Sequence, residues 1–178
     1  MARLGIALYW AATAVAVALV GLAVFAYFTA TGSGLQAAAA GLSLHLLLLN
    51  ASTARETEAA FAELVAQRAD AFILGTDPFF ITTRDQQVAL ANRDAIPAIY
   101  PFREDVVAGG LASYGASNRD GYHLVGGYAG RILRGEKPSD LPVQQATRLE
   151  MALNLKTAKA LGLTIPLPLL GRADEVIE

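Results

Sequence analysis

The 178-residue chain has no cysteine, only two histidines and one tryptophan, and carries almost no charge ahead of Arg55. Without thiols it can form no disulfide, cysteine nucleophile or cysteine-ligated zinc or iron–sulfur centre, and the redox compartment stays open. His45 and His123 are far apart and neither has an i,i+4 partner, so a histidine metal pair is unsupported. His45 reads as a strand residue and His123 as a helix-surface one. A formal net charge of −2 gives no electrostatic reason to expect nucleic acid as a partner. Nucleophile elbows, phosphate-binding P-loops and H-E-x-x-H helices are all missing, so neither an enzyme nor a cofactor site is indicated. Gly32-Ser33-Gly34-Leu35-Gln36-Ala37 fits the dinucleotide pattern on paper, but it follows a long apolar run instead of the buried strand its chemistry needs.

What the chain does have is apolar mass, 54% of residues against 17% charged, which excludes a disordered tail, a collagen-like rod and a disulfide-stapled miniprotein. Its charge is unevenly placed: of 14 basic and 16 acidic residues, only Arg3 precedes Arg55. The run Ile6–Phe28 is broken only by Thr13 and Gly21, with Tyr9, Trp10, Tyr27 and Phe28 near its ends. As a helix it would span roughly 34 Å, enough for a hydrocarbon core of about 30 Å. The positive-inside bias then leaves the N-terminus in the cytoplasm and exports the rest. A cleaved signal, with small residues at Ala30-Thr31-Gly32, is the main rival, although its apolar region is usually shorter. A leader acquired by rearrangement or a misplaced start is a third reading, and a buried core helix a fourth.

After the polar hinge Thr29–Gly34, apolar runs alternate with helical periodicity. Leu42–Leu49 reads as a strand covered on both faces. Thr53-x-x-Glu56 reads as a capping box opening a helix with Phe61, Leu64 and Val65 on its inner face. Ala71–Leu74 is a second strand, Thr83-x-x-Gln86 to Asn92 a second helix, and Pro97–Tyr100 a third strand. Gly110–Tyr114 is extended. A helix from Asn118 to Arg134 follows, with Tyr122, Val125, Ala129, Ile132 and Leu133 in helical register and Gly135 at a left-handed cap. Leu149–Leu153 alternates as a strand with one wetter face, and Asn154 caps a short helix that stops at Gly162. The alternation predicts an α/β fold with a mostly parallel, doubly wound sheet, preceded by one N-terminal transmembrane helix. In such sheets ligands sit beyond the carboxyl ends of the strands, here the loops 75–80, 100–104 and 114–117.

Within those loops, Asp77-Pro78-Phe79-Phe80 sets two aromatics beside a strand end. Asp77 either accepts from a ligand or caps the turn, and at least one Phe is expected in the core. Tyr100, Phe102 and Arg103 follow the next strand. Arg103 either holds a carboxylate bidentately or pairs at the surface with Glu104 or Asp105.

Taken together, Arg68-Ala-Asp-Ala-Phe-Ile-Leu-Gly75, Asp77-Pro-Phe-Phe80, Ile96-Pro-Ala-Ile-Tyr100, Gly109-Gly-Leu-Ala-Ser-Tyr-Gly115, Gly130-Arg-Ile-Leu-Arg-Gly-Glu-Lys-Pro138, Asp140-Leu-Pro-Val-Gln-Gln145, the segment Asn154–Pro166 and the tail Arg172–Glu178 resemble the ABC transporter substrate-binding protein family, its tryptophan- and tyrosine-type periplasmic members in particular. The resemblance runs from about Leu35 to the end. It implies a partial type I periplasmic-binding-protein-like fold that closes on a small-molecule ligand, such as an amino acid or aromatic compound, and delivers it to an ABC permease in the membrane. By position, the ligand-facing residues it implies are Asp77, Phe79, Phe80, Tyr100, Arg103 and Tyr114. No cofactor, metal or catalytic residue is implied.

Members of that family carry a further N-terminal lobe ahead of the matched region. Residues 1–31 are therefore expected to be a transmembrane anchor or signal-like segment, and 32–178 an incomplete binding domain. Within it, 32–108 would be the C-terminal lobe, and 109–178 crossover and lobe-completing segments left without their sheet. The leader would stand in for the missing lobe and for the first strand of this one. A truncated gene product, functional if a second chain supplies the other lobe, is the expectation. The location follows: inner membrane with the soluble part in the periplasm, or free in the periplasm if the leader is cleaved. The competing reading is a membrane-anchored α/β interaction domain that binds no small molecule.

Overall fold

The computed structural model describes residues 24–27, 39–42, 44–144 and 148–178. In chain order the elements are β1 (Val24–Tyr27), β2 (His45–Leu48), α1 (Ala54–Ala66), β3 (Phe72–Ile73), α2 (Pro78–Thr82), α3 (Arg84–Arg93), β4 (Ala98–Tyr100), α4 (Arg103–Val107), β5 (Ala112–Ala116), α5 (Asn118–Leu133), β6 (Leu149–Asn154), α6 (Leu155–Ala160), α7 (Leu167–Leu170) and β7 (Glu175–Ile177). A single turn of 3-10 helix at Pro138–Asp140 follows α5. The strands form one seven-stranded sheet in the order β2-β1-β3-β4-β5-β6-β7. Every neighbouring pair is parallel except β5 with β6. The expected mostly parallel α/β sheet is therefore present, and its first five strands follow the 2-1-3-4-5 order of doubly wound folds.

One expectation is corrected at the amino-terminal end. Val24–Tyr27, read as the end of a membrane helix, is a strand paired in parallel with β2 and, through Tyr27 and Ile73, with β3. Hydropathy cannot separate an apolar helix from an apolar strand, and Val24, Phe25 and Tyr27 are residue types that favour strands. The leader thus does not displace the first strand of this sheet; it contains it. The run ahead of the strand, 6–23, and the proposed cleavage site lie outside the described residues. No helix among the described residues is long and apolar enough to cross a membrane. A second correction concerns 109–178, which are not left without a sheet, because β5, β6 and β7 extend the same one.

Register explains which face each side chain serves. Phe72, Leu74, Ala98 and Tyr100 point to the face covered by α1 and α3, forming a core with Phe61, Leu64, Phe80, Val88 and Leu90. Phe72 stands edge-on to Phe61 at 5.2 Å and to Tyr100 at 6.0 Å between ring centres. The opposite face carries Met151, Leu153, Ala112 and Tyr114, with Leu169 of α7 packed over them. Val65, expected on the inner face of α1, is 52% exposed because Leu64 takes the position that points at the sheet. β2 is a sheet edge, so His45 and Leu48 are exposed where cover on both faces was expected.

The caps explain most helix boundaries. Thr53 accepts from Glu56 N at 3.2 Å while Ser52 N donates to the Glu56 carboxylate at 2.7 Å, closing the start of α1. Asn154 accepts from Thr157 N at 3.0 Å at the start of α6. Thr83 makes no side-chain cap for α3 as had been expected; its hydroxyl donates to Phe79 O at 2.8 Å, back across the preceding turn. Gly135 has φ of 97°, the left-handed conformation anticipated after α5.

Truncating the buried ring in Phe61→Ala should cost about 3–5 kcal/mol in urea unfolding, against no more than about 0.5 kcal/mol for Val65→Ala on the same helix.

Candidate functional site

At the carboxyl ends of β3, β4 and β5 the chain leaves the sheet three times, and between these exits lies a mainly apolar hollow of about 290 Å³. Leu74, Gly75 and Thr76 border it from β3, Tyr100 to Phe102 from β4, and Tyr114 to Ala116 from β5. Leu149, Met151 and Leu169 close the side towards β6 and α7. α5, the helix that follows β5, buries none of its residues among the described ones.

The walls are held by short, specific contacts. Asp77 accepts from Phe79 N at 2.8 Å with Pro78 in the first turn, so the Asp-Pro pair starts α2 and fixes the β3 exit. With its amide oriented to satisfy both ends, buried Gln87 donates to the carbonyls of Phe80 and Thr83, each at 3.1 Å. Beyond β4, Asp105 accepts from Phe102 N at 3.1 Å and from Arg84 Nε at 2.8 Å, tying α4 to α3. Gly115 is required by space: a Cβ there would lie 2.1 Å from the carbonyl oxygen of Pro101. The β4 and β5 exits therefore touch backbone to backbone.

Burial is the main influence on the Asp105 carboxyl and pushes its pKa up; the Arg84 hydrogen bond and charge and the Phe102 N–H pull the other way. Burial also raises the Tyr100 phenol, with the Asp105 charge adding to it, so the ring stays neutral. The Tyr100 and Ser113 hydroxyls are both buried and have no hydrogen-bond partner among the described residues. They belong to cross-strand register partners, and both residues border the hollow.

The residues singled out from sequence are only partly brought together. Tyr100 and Tyr114 border the hollow itself. Asp77 and Phe80 lie in an adjoining narrow crevice with Pro101 and Phe102, where Asp77 is a helix cap and Phe80 is core. Phe79 is half-buried against that core, 5.4 Å from the Phe80 ring. Arg103 is elsewhere, in a polar cleft of about 620 Å³ with Arg119, His123, Arg148, Glu150 and Asp174. Its guanidinium forms a two-pronged ion pair with Glu175, not with the neighbouring Glu104 or Asp105 that sequence distance suggested. Phe102, Gly115 and Met151 were not singled out as ligand-facing; Phe102 and Gly115 share position at a strand exit, and Met151 lies within β6 opposite Tyr114. The Gly32–Ala37 motif lies outside the described residues, although β1 now stands ahead of it where a membrane helix was expected.

Residues 31–177 match the profile of a family described as ABC transporter substrate binding protein. Among solved structures, a conserved domain protein from Vibrio cholerae is similar at TM-score 0.76 and 22% identity, covering 88% of this chain and 55% of that one. An ABC domain from Streptococcus pneumonia, solved in complex with L-Trp, gives TM-score 0.75 and 22% identity with the same coverage. A ligand-free, open substrate-binding protein with adhesive properties from Clostridium difficile gives 0.59 and 22%, covering 87% and 54%. These likenesses establish the fold, and this chain spans about half the length of each. No curated protein sequence matches it.

Two outcomes test this geometry. Gly115→Ala should force the β4 and β5 exits apart and lower the melting temperature by several degrees, read by circular dichroism. For Asp105, a folded pKa above the ordinary 3.8 means its contribution to stability is fully present below that value and is lost as pH rises through the raised one. Asp105→Asn removes this dependence, so the stability difference between wild type and variant should move in the variant's favour from about pH 4 upwards and then level off.

Proposed function

The chain belongs to the ABC transporter substrate-binding protein family, a family of binding proteins and not of enzymes, and from that premise we propose that it is one lobe of a solute-binding component of an ABC-type importer. It works outside the cytoplasm, captures a small ligand with a flat apolar body, and passes it to a permease in the membrane. The observation that carries this reading is the apolar hollow at the ends of β3, β4 and β5, edged by Phe102 and Tyr114. Aromatic edges of this kind suit an aromatic amino acid, the class to which the ligand of the Streptococcus pneumonia protein belongs.

We assign Tyr114 to the ligand wall, with Asp77 and Phe80 shaping the floor beside it; Tyr100 borders the hollow from β4 while its ring packs in the core on the other face. Phe79 supports that floor, and Arg103 belongs to the edge where a second lobe would approach. Strands β1 to β5 form the body of the lobe, and β6 and β7 extend the same sheet. A small-molecule site buries most of its ligand, and one wall leaves the other half of the ligand wet. Affinity of this chain alone is therefore low, and closure needs a second lobe.

The apolar run 6–23 serves as a membrane tether or an export signal. Carbonate-washed membranes decide between the two: a tether keeps the chain in the pellet, cleavage releases it, and recovery from the cytoplasm overturns both.

Calorimetric titration of the full chain with L-tryptophan should give weak binding, in the range of about 0.1–1 mM, weakened roughly tenfold by Tyr114→Ala. Absence of heat with every aromatic and aliphatic amino acid would overturn ligand capture and leave the alternative, a protein-interaction domain.

A further inference from the structure

The charges of this chain are sorted away from the hollow. Among the described residues that border it, none is Asp, Glu, Lys, Arg or His. The sequence ahead of Arg55 adds a single charged side chain, Arg3, and residues 145–147 add none. Strand periodicity does part of the sorting. Along β6, Leu149, Met151 and Leu153 border the hollow, while Arg148 and Glu150 border the polar cleft. The charged groups that come near are already engaged. Arg103 is held by Glu175, and Asp174 accepts from Met151 N at 2.8 Å. Asp77 accepts from Phe79 N at 2.8 Å, and Asp105 from Arg84 Nε at 2.8 Å.

What the hollow offers a ligand is therefore neutral surface. Burial raises the pKa of the Tyr114 phenol, and the Asp174 charge adds to it, so that ring carries no charge. The buried hydroxyls of Tyr100 and Ser113 do not alter this. The Tyr100 ring packs in the core on the other face, and Ser113 is its register partner on β5. At about 290 Å³ the space lies at the small end of the roughly 300–1,000 Å³ of small-molecule pockets, room for one ring system. An ammonium or carboxylate drawn in would give up its water with nothing to replace it, so it stays at the mouth. A pocket also cannot penalise an analogue for lacking a group to which it makes no hydrogen bond. Strong discrimination arises only where buried polar partners are left unpaired.

We propose that the hollow recognises only the uncharged ring of its ligand, so that its substrate class is the neutral flat aromatic solute, with indole as the simplest probe. The amino-acid head group adds nothing, and the wall is blind to its handedness. The proposal rests on the ligand-capture reading above and narrows what that capture reads.

The test is calorimetric titration of the full chain with indole, L-tryptophan and D-tryptophan. Competition between indole and L-tryptophan separates a shared site from partition into apolar surface. Dissociation constants should agree within about threefold for all three, with indole displacing L-tryptophan. A charge set at the rim should end that equality. Leu149→Arg, shown by circular dichroism to be folded, supplies a cation for the carboxylate and should favour both tryptophans over indole by at least about tenfold. An unchanged ratio in the folded variant would put the ring elsewhere and overturn the proposal. So would a wild-type preference of about tenfold or more for L-tryptophan over indole, or for one enantiomer, while ligand capture would stand. Heat with indole and with no amino acid would support the neutral class and overturn amino-acid capture. No heat with any of the three would overturn both.

Discussion

The sheet is held to its helices by a ladder of three rings. Phe61 from α1 meets Phe72 on β3 edge-on, and Phe72 meets Tyr100 on β4 in the same way. Each ring is almost wholly withdrawn from water, so the ladder combines the burial of large apolar surfaces with a favoured aromatic geometry. It runs from α1 across β3 to β4 and ties together two neighbouring strands whose carboxyl ends open on the hollow. The strand exits, and everything the molecule can offer a ligand, depend on that alignment.

The opposite face of the sheet is finished differently. Among the described residues, cover comes from α7 at the β6 end, and the hollow lies in the middle. This contrast separates the roles of the two faces: one supplies stability through packing, the other supplies a surface to be completed. Asp105 sits at the junction, accepting from Arg84 on one side and from the Phe102 backbone on the other. A carboxylate buried this deeply tolerates its desolvation only because both oxygens are occupied. It ties the loop that follows β4 to α3.

Sequence patterns revealed the long, self-contained elements and missed those defined by distant partners. The capping residues Thr53 and Asn154 and the full extent of α5 were legible because each signal lies within a few positions of the structure it controls. One-turn helices such as α2, α4 and α7 contain too few residues to show a period. β1 was misread because its strand character depends on neighbours 21 or more residues away in sequence, and an apolar run carries no record of them. The strand-exit loops were found from the α/β alternation alone. The fate of Arg103 was not, since Glu175 lies 72 residues further on.

The antiparallel step from β5 to β6 carries a consequence of its own. Ala116 and Leu149 stand directly opposite each other, so everything between them is topologically the loop of a hairpin, however long it has grown. Such a loop can be lengthened, shortened or exchanged during evolution without altering any strand order. Its two stems carry Tyr114 and Met151, which face each other at the rim of the hollow, so the hairpin's base and the hollow's border are the same residues.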